Sequence, residues 1–278
     1  MIMSNIKVIE KFGKAPGKTA VILAGVHGNE TCGIKAFDKI IPSLKIKSGR
    51  VLFVYSNLEA MRQNKRFIEE NLNRCFLSIQ PKEISWTLEG KTAEEIKPYL
   101  DSADFLLDIH ASNSVNSVPF IITDINSLEI AETIPCKIVS LNWDSFEKGT
   151  TDYYMHLSNK KGICFESGYI KDKKSIIRAE DAIISFLASL GFIERVRERP
   201  DKKEFFEMVS IYKNNKYAFK KSRDFADFEI LKEKTSVGKE GNKDVFLDAG
   251  FAVVFVRDRE NLDNECFLVA RKMGKSQI

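Results

Sequence analysis

The sequence lacks the features of a membrane protein or a disulfide-stabilised protein. No uninterrupted apolar run approaches the roughly 20 residues that a membrane-spanning helix needs. The N-terminus has no basic start followed by a long apolar stretch, so we expect no signal peptide. The five cysteines are odd in number, scattered and never arranged as Cys-x-x-Cys, which predicts reduced, mostly buried thiols. These absences favour a cytoplasmic protein that has no membrane partner.

The chain also lacks a large excess of charge of either sign. Its 43 basic and 39 acidic residues leave a net charge of +4 over 278 residues, which is too balanced to indicate a nucleic-acid partner. The small positive excess suits an anionic small-molecule substrate. Apolar residues make up 44% and charged residues 29%, as in ordinary globular proteins with one large domain, or one plus a smaller one. Whether the chain forms a homo-oligomer stays open.

Apolar runs and helical patterns alternate over the first 195 residues. Residues 20–26 predict a buried strand, which a glycine-lined turn connects to a helix from about residue 30 to residue 41. Such alternation is typical of an α/β sheet flanked by helices. Further strands are predicted at residues 50–55, 105–110, 118–123, 137–140 and 162–168.

Two helix starts are predicted from capping residues. Thr92 with Glu95 three residues later forms a capping box. Asp172 is a predicted cap for a second helix, which ends at Gly191. Between the strands, residues 58–85 show no sustained periodicity, and such a long irregular segment is often functional.

The pattern changes beyond a polar connector at residues 194–203. Short alternating segments separated by charged turns follow it, without a helical period, and they predict a small all-β domain. The predicted domains are therefore 1–195, an α/β domain, and 200–278, a β-rich domain. The alternating segments lie at residues 205–212, 217–219 and 250–256.

Two of the three histidines follow or end predicted strands. His27 follows the first strand, His110 ends the strand at 105–110, and Glu166 lies near the end of the strand at 162–168. Ligands bind at the carboxyl ends of strands in α/β sheets, so these side chains can converge. His27 and Glu30 form a His-x-x-Glu pair, which can supply two ligands of one zinc ion, although such pairs also occur by chance.

A set of two histidines and one carboxylate leaves zinc an open position for water, which is the catalytic pattern. Such a water would have a lowered pKa, and a separate carboxylate would take its proton. Glu166 is the candidate for that general base, although a helix cap or a surface ion pair would also account for it. Asp108 could orient His110 or be a buried structural aspartate. His156 lies in a polar stretch and is treated as non-catalytic.

The irregular segment supplies positive charge. Arg66 and Arg74, with Asn73 adjacent, could bind a substrate carboxylate or a developing oxyanion, because a guanidinium offers two parallel donors. The alternative for Arg66 and Arg74 is a solvated side chain, as is usual for an arginine in a polar loop. The same alternative applies to Arg62.

Five motifs in one order resemble the succinylglutamate desuccinylase and aspartoacylase family of zinc hydrolases. The resemblance covers roughly residues 19 to 170, and it implies a zinc carboxypeptidase-like fold, a mixed α/β sheet flanked by helices, followed by a smaller all-β domain. The motifs are Gly25-Val26-His27-Gly28-Asn29-Glu30, Arg66-Phe67, Asn71-Leu72-Asn73-Arg74, Asp108-Ile109-His110 and Phe165-Glu166.

The resemblance also implies roles for residues of this sequence. One zinc ion per chain would be bound by His27, Glu30 and His110, with Glu166 as general base. Arg66 would polarise the scissile carbonyl, while the pair Asn73 and Arg74 would hold the substrate's carboxylate. The implied reaction is hydrolysis of the amide bond of a small N-acyl amino acid or related acidic amide.

The sequence departs from the family where Asn71 stands in place of the usual aspartate, which bears on substrate preference. A tyrosine that some members contribute from the C-terminal domain has no clear counterpart, and Tyr212 and Tyr217 are the conceivable ones. Two alternatives keep the fold: a metallocarboxypeptidase that trims peptides, and a non-catalytic binding module. The presence of all the ligands and the base argues against the binding module.

Overall fold

Eleven strands join into one mixed sheet in the part of the chain that the computed structural model describes, residues 4–194 and 202–274. The strand order is β1-β3-β2-β4-β7-β5-β6-β8-β14-β13-β10, and a second sheet has the order β12-β11-β9. The strands are β1 Lys7–Phe12, β2 Ala15–Ala24, β3 Ser48–Tyr55, β4 Phe105–Ser112, β5 Phe120–Thr123, β6 Ile138–Leu141, β7 Lys161–Tyr169, β8 Glu204–Lys213, β9 Phe219–Lys221, β10 Glu229–Ile230, β11 Thr235–Glu240, β12 Lys243–Leu247, β13 Phe251–Val254 and β14 Glu265–Lys272.

Helices flank the first part of this sheet. They are α1 Cys32–Ile40, α2 Leu58–Arg62, α3 Lys82–Ser85, α4 Leu88–Ser102, α5 Leu128–Ala131, α6 Thr151–Leu157 and α7 Lys174–Ser189. Short 3-10 turns lie at Leu72–Arg74, Ile125–Ser127 and Trp143–Ser145. No helix among the described residues has the length and apolar character needed to cross a bilayer.

The strands β2, β4 and β7 form the parallel centre of the sheet. Side chains alternate between the two faces along β2, so Ile22 contributes to one apolar core and Leu23 to the other. The first core contains buried side chains of α1 and α7, and the second contains those of α4 and α6. Burial on both faces explains why these strands are almost continuously apolar in sequence.

The C-terminal strands continue the same large sheet. Strand β8 pairs in parallel with β6, and β14, β13 and β10 follow by antiparallel pairing. Strands β9, β11 and β12 form the smaller antiparallel sheet. Residues 202–274 contain strands and no helix. The predicted fold class, a mixed α/β sheet with a smaller all-β part at the C-terminus, is confirmed.

The domain boundary stays a prediction, because most of the predicted connector, residues 195–201, lies outside the described residues. Four local predictions need adjustment. The capping box at Thr92 is wrong: α4 begins at Leu88, and the Thr87 side chain accepts a hydrogen bond from the Gly90 N–H. Thr92 is buried one turn later, and its hydroxyl donates to the Leu88 carbonyl oxygen.

The first predicted helix starts later than residue 30, because α1 begins at Cys32 and Glu30 lies in the preceding turn. The irregular segment 58–85 is interrupted by α2, α3 and one 3-10 turn. The predicted cap holds in part: Asp172 precedes α7 and its carboxylate accepts a hydrogen bond from the Lys174 N–H. All five cysteines are buried and free.

Candidate metal centre and substrate cleft

Neighbouring strand ends bring the predicted site residues together. His110 near the end of β4 and Glu166 near the end of β7 are register partners across the parallel pair. His27 follows β2, which pairs with β4 on the opposite side from β7. All three side chains are buried. The sheet therefore places the three side chains at one edge although they are distant in sequence.

The turn after β2 brings Glu30 back toward His27. Gly25 has φ of +72°, a backbone conformation that side-chain-bearing residues rarely adopt. Gly28 has no room for a side chain, since an added Cβ would lie 2.2 Å from the carbonyl carbon of Ala60. The Glu30 N–H donates to the His27 carbonyl oxygen at 3.0 Å. The turn is thus closed by its own backbone, with both side chains on one side.

The ligand atoms of His27, Glu30 and His110 converge on one point. His27 Nδ1 lies 2.9 Å from Glu30 Oε1, and His110 Nδ1 lies 3.0 Å from Glu30 Oε2. The two Nδ1 atoms are 3.1 Å apart. Two ligands at zinc–nitrogen distances with a tetrahedral angle would be about 3.3 Å apart. The set therefore has the spacing that a zinc ion needs.

The outer nitrogen of each imidazole lies close to a side-chain oxygen. His27 Nε2 lies 2.9 Å from Asn71 Oδ1, whose amide orientation is fixed because the same oxygen accepts from the Asn73 N–H. His110 Nε2 lies 2.9 Å from Asp108 Oδ2, which also accepts from the Thr151 hydroxyl at 2.6 Å. An acceptor next to Nε2 favours the neutral imidazole form that carries its proton on Nε2. The lone pair that can bind a metal then lies on Nδ1.

Two imidazole lone pairs and a carboxylate that face one point need a cation or a proton between them. The pKa values of the two histidines show which of them would carry such a proton. Burial, followed by the positive charge of Arg66, lowers the pKa of His27 to about 4 and keeps it neutral. Burial would also lower the pKa of His110, but the charge of Asp108 raises it well above its ordinary value. A metal ion would displace that proton, so His27, Glu30 and His110 fit a zinc ion.

Glu166 lies beside this centre as a buried carboxylate. Its Oε2 atom is buried and has no hydrogen-bond partner among the residues that the structure describes. Burial, followed by the negative charge of Glu30, raises the pKa of Glu166 to about 8. An unpartnered carboxylate oxygen with a pKa near neutrality has the properties of a general acid or base.

The irregular segment places Arg66, Asn73 and Arg74 in the wall of the same cleft, which has a volume of about 80 Å³. Arg66 Nη1 donates to Glu30 Oε1 at 2.8 Å. Arg74 forms an ion pair with Glu147, and its Nη1 donates to the Asn73 carbonyl oxygen at 2.7 Å. Arg62, by contrast, is 72% exposed in an ion pair with its helix neighbour, outside the cleft lining.

Glu89 holds this segment in place and was missed in the sequence. It is fully buried in the first turn of α4. Its Oε1 accepts from the Ile68 N–H and from Asn57 Nδ2, at 2.7 and 3.2 Å, and its Oε2 accepts from the N–H groups of Glu69 and Glu70, both at 3.1 Å. The residues that follow Arg66 are therefore anchored by one carboxylate. The sequence around Glu89 gives no local signal of this role, because it is an ordinary glutamate at a helix start.

The C-terminal strands also reach the cleft. Phe255, Arg257 and Glu265 line it, and none of them was predicted. Neither tyrosine considered from the sequence lies in the lining. The Tyr212 hydroxyl donates to Glu240 at 2.7 Å, and Tyr217 is 62% exposed.

A second group of potential ligands comprises Asp144, Asp152 and His156. His156 Nδ1 lies 2.8 Å from Asp144 Oδ2, and Nε2 lies 3.1 Å from the Gly162 carbonyl oxygen. Burial would lower the pKa of His156, but the hydrogen bond to Asp144 and the surrounding carboxylates raise it to about 9. A protonated imidazole that is held by acceptors at both nitrogens is an ion-paired structural residue.

Comparison with solved structures identifies the fold. The crystal structure of a succinylglutamate desuccinylase from Vibrio cholerae superposes with a TM-score of 0.78, at 21% sequence identity, covering 95% of this chain and 85% of that one. At this identity the match establishes the fold, which is the desuccinylase/aspartoacylase fold.

The family follows from the sequence. A model of the succinylglutamate desuccinylase/aspartoacylase catalytic domain matches residues 16–185, so the chain belongs to this family, which is named for deacylating enzymes. A probable aspartoacylase from a Nostoc species is 29% identical over 184 residues, 57% of each chain. A succinylglutamate desuccinylase from Ectopseudomonas mendocina is 38% identical over 64 residues, 22% of this chain and 19% of the relative. The aligned parts thus span less than two thirds of these relatives' lengths.

Proposed function

We propose that the protein is a zinc-dependent hydrolase that cleaves the amide bond of a small N-acyl amino acid or a related acidic amide. The observation that carries the proposal is the convergence of His27, Glu30 and His110 beside the buried carboxylate of Glu166. Membership of a deacylase family supports the same reaction class. One zinc ion per chain would be held by the two Nδ1 atoms and the Glu30 carboxylate.

Zinc at this position would supply a Lewis acid that polarises a carbonyl group and lowers the pKa of water. Glu166 is then suited to proton transfer. Its Oε2, which has no hydrogen-bond partner among the described residues, can take a proton from the attacking water and return it to the leaving nitrogen. A cation nearby favours the ionised form of a carboxylate, which offsets the effect of burial on the pKa of Glu166.

The cleft wall supplies the groups that hold the substrate. Arg66 uses one guanidinium nitrogen for Glu30 and has further donors for the scissile carbonyl oxygen, where negative charge develops. Asn73 and Arg74 are proposed to hold the α-carboxylate of the amino acid. Asn73 Oδ1 is fixed by the Thr151 N–H at 3.2 Å, so its amide nitrogen is left for the ligand.

The lining of the cleft favours this proposal over peptide trimming. A metallocarboxypeptidase needs an open groove for the chain that precedes the scissile bond, whereas this cleft is lined partly by the C-terminal residues Phe255, Arg257 and Glu265. A small molecule fits such a lining better than a peptide.

A screen of N-acyl amino acids with the zinc-loaded protein, following released amine, tests the proposal. We expect turnover of at least one acidic member and much slower cleavage of C-terminal residues from peptides. Faster release from blocked dipeptides than from every N-acyl amino acid would reassign the enzyme to the peptidases. Zinc binding without turnover of either class would leave the binding module as the better description.

A further inference from the structure

Four apolar side chains line the cleft as one group, the apolar wall. Its members are Ile122, Trp143, Cys164 and Phe255, each at most 8% exposed. All four belong to one buried hydrophobic cluster, so they form a continuous apolar surface and not isolated contacts between polar neighbours. The remaining lining residues are polar or charged. The cleft therefore has an apolar part and a polar part.

The sheet places the apolar wall next to Glu166. Cys164 lies two residues before Glu166 on β7 and therefore on the same face of the sheet. Ile122 of β5 is the register partner of Cys164 on one side of β7, and His110 of β4 is the register partner of Glu166 on the other side. The metal centre and the apolar wall thus lie on opposite sides of Glu166, and a substrate whose amide bond lies at this carboxylate can contact both.

The polar atoms of the apolar wall offer a ligand little hydrogen bonding. The Trp143 indole N–H already donates to the Ser140 hydroxyl at 2.8 Å. Burial, followed by the negative charge of Asp152, raises the pKa of Cys164 well above its ordinary value, so the thiol stays neutral. A buried neutral thiol behaves as a small apolar group. The apolar wall therefore suits a group that needs no hydrogen-bond partner.

The backbone of Phe255 is strained, and its surroundings hold it in place. Phe255 has φ of +54°, a conformation that bulky L-residues rarely adopt. Its N–H donates to Oδ1 of the buried Asp227 at 2.8 Å. Its ring lies 6.2 Å from the Trp143 ring in an edge-to-face arrangement, and the Arg257 guanidinium lies over it at 4.8 Å. Strain that the surrounding structure maintains is often found at functional sites, which supports a role for the position of this ring.

We propose that the apolar wall is a specificity-determining subsite that binds an uncharged, apolar group of the substrate, on the acyl side or the amino-acid side of the amide bond. The proposal rests on the proposed hydrolase function and narrows its substrate class. The substrate would carry one carboxylate, the α-carboxylate assigned to Asn73 and Arg74, and one apolar group. Burial of each methylene group against such a wall favours binding by about fourfold.

The test compares substrates of nearly equal shape that differ in polarity. On the amino-acid side, N-acetyl-L-leucine is compared with N-acetyl-L-asparagine and N-acetyl-L-aspartate. On the acyl side, N-isovaleryl-L-alanine is compared with N-malonamoyl-L-alanine and N-malonyl-L-alanine. For the zinc-loaded wild type we expect kcat/KM to favour the apolar member of at least one set by about tenfold or more, because the polar members lose water without gaining a partner.

Ile122→Thr places a hydroxyl group in the apolar wall and should lower that preference by about fivefold. Ile121→Thr is the matched control and should leave the preference unchanged. Ile121 precedes Ile122 on β5, is fully buried in the core on the opposite face and lies outside the cleft lining. Melting temperatures check that both variants are folded.

Phe255→Leu is a second, independent variant, which decides the question if Ile122→Thr does not fold. Replacement of the ring by a smaller side chain leaves room in the cleft. We therefore expect the preference to shift toward a larger apolar group, from leucine to phenylalanine on the amino-acid side or from isovaleryl to phenylacetyl on the acyl side.

Three outcomes would overturn the proposal: no preference for the apolar member in either set for wild type, an equal effect of Ile122→Thr and Ile121→Thr on the preference, or an unchanged size preference in Phe255→Leu. Absence of turnover for all six compounds would instead count against the hydrolase function. In that case calorimetric titration of the same compounds into the zinc-loaded proteins decides the role of the apolar wall. Tighter binding of an apolar member that is weakened in Ile122→Thr would support it, and equal binding of all members would refute it.

Discussion

The Glu89 anchor offers a quantitative test of how the segment that carries Arg66 and Asn73 is held. The Glu89 carboxylate is fully buried and accepts four hydrogen bonds, two at each oxygen. In Glu89→Gln one oxygen becomes an NH2 group. Whichever way the amide is turned, that group faces two donors, so two of the four bonds are lost.

Hydrogen bonds to charged groups are worth about 1.5–3 kcal/mol each, and local rearrangement recovers part of that. We therefore expect Glu89→Gln to lower the free energy of unfolding by about 2–3 kcal/mol, and Glu89→Ala by about 3–5 kcal/mol. Urea denaturation of the zinc-saturated protein measures both values. At temperatures well below its melting temperature, the Glu89→Gln variant should also show a raised KM. The reason is that Arg66 and Asn73, which are proposed to contact the substrate, lie close in sequence to the N–H groups that Glu89 anchors.

Glu94→Gln is the matched control on the same helix. Glu94 is exposed and pairs with the buried Lys97 one turn away, whose ammonium also donates to the Leu77 carbonyl oxygen at 2.7 Å, so its replacement should change stability by no more than about 1 kcal/mol. If Glu89→Gln behaved like Glu94→Gln in both stability and KM, the carboxylate would not be what holds the segment, and the reasoning from its four acceptor contacts would be wrong.

Three further predictions concern the centre and its surroundings. His110→Ala should lose the roughly one equivalent of zinc per chain that we expect in wild type, as measured by elemental analysis; a metal-free wild type prepared without chelators would contradict the site. Glu166→Gln should retain zinc and lose most turnover, and wild-type kcat in this variant would require another base. His156 has a folded-state pKa of about 9 against an ordinary 6.5, so its charge stabilises the fold fully below pH 6.5, and the effect is lost as the pH rises through 9. The stability difference between wild type and His156→Gln should therefore shrink by up to about 3 kcal/mol between pH 6 and pH 10, and a pH-independent difference would refute the ion-pair assignment.

The central strands could be predicted because their signals are local. The runs that precede His27 and His110 are apolar since both sheet faces are covered, and polar residues mark where each strand ends. Convergence of the ligands then follows from parallel pairing, which applies to any α/β sheet. Distances between the ligand atoms could not be predicted, because they depend on the turn at Gly25 and on the strand register.

The residues that were missed depend on contacts between distant parts of the chain. Glu89 is a typical helix-start glutamate in sequence, and its importance arises only because residues 68–70 fold back onto it. Arg257 lies in a charged turn of the C-terminal region and reaches the cleft only because β8 pairs with β6 and extends the main sheet. The family resemblance allows for a tyrosine from the C-terminal part, but the alternating strand pattern does not indicate which residue reaches the cleft.

Asn71 stands where the family usually has aspartate, and it still fits the candidate metal centre. Its Oδ1 accepts from His27 Nε2 and from the Asn73 N–H, so a neutral amide is sufficient to fix the imidazole orientation. An aspartate at this position would add a negative charge beside Arg66 and Arg74, and would partly neutralise them. With asparagine the cleft keeps its positive charge for the ligand. We therefore expect an anionic substrate to be favoured over a neutral one, which the N-acyl amino acid screen tests.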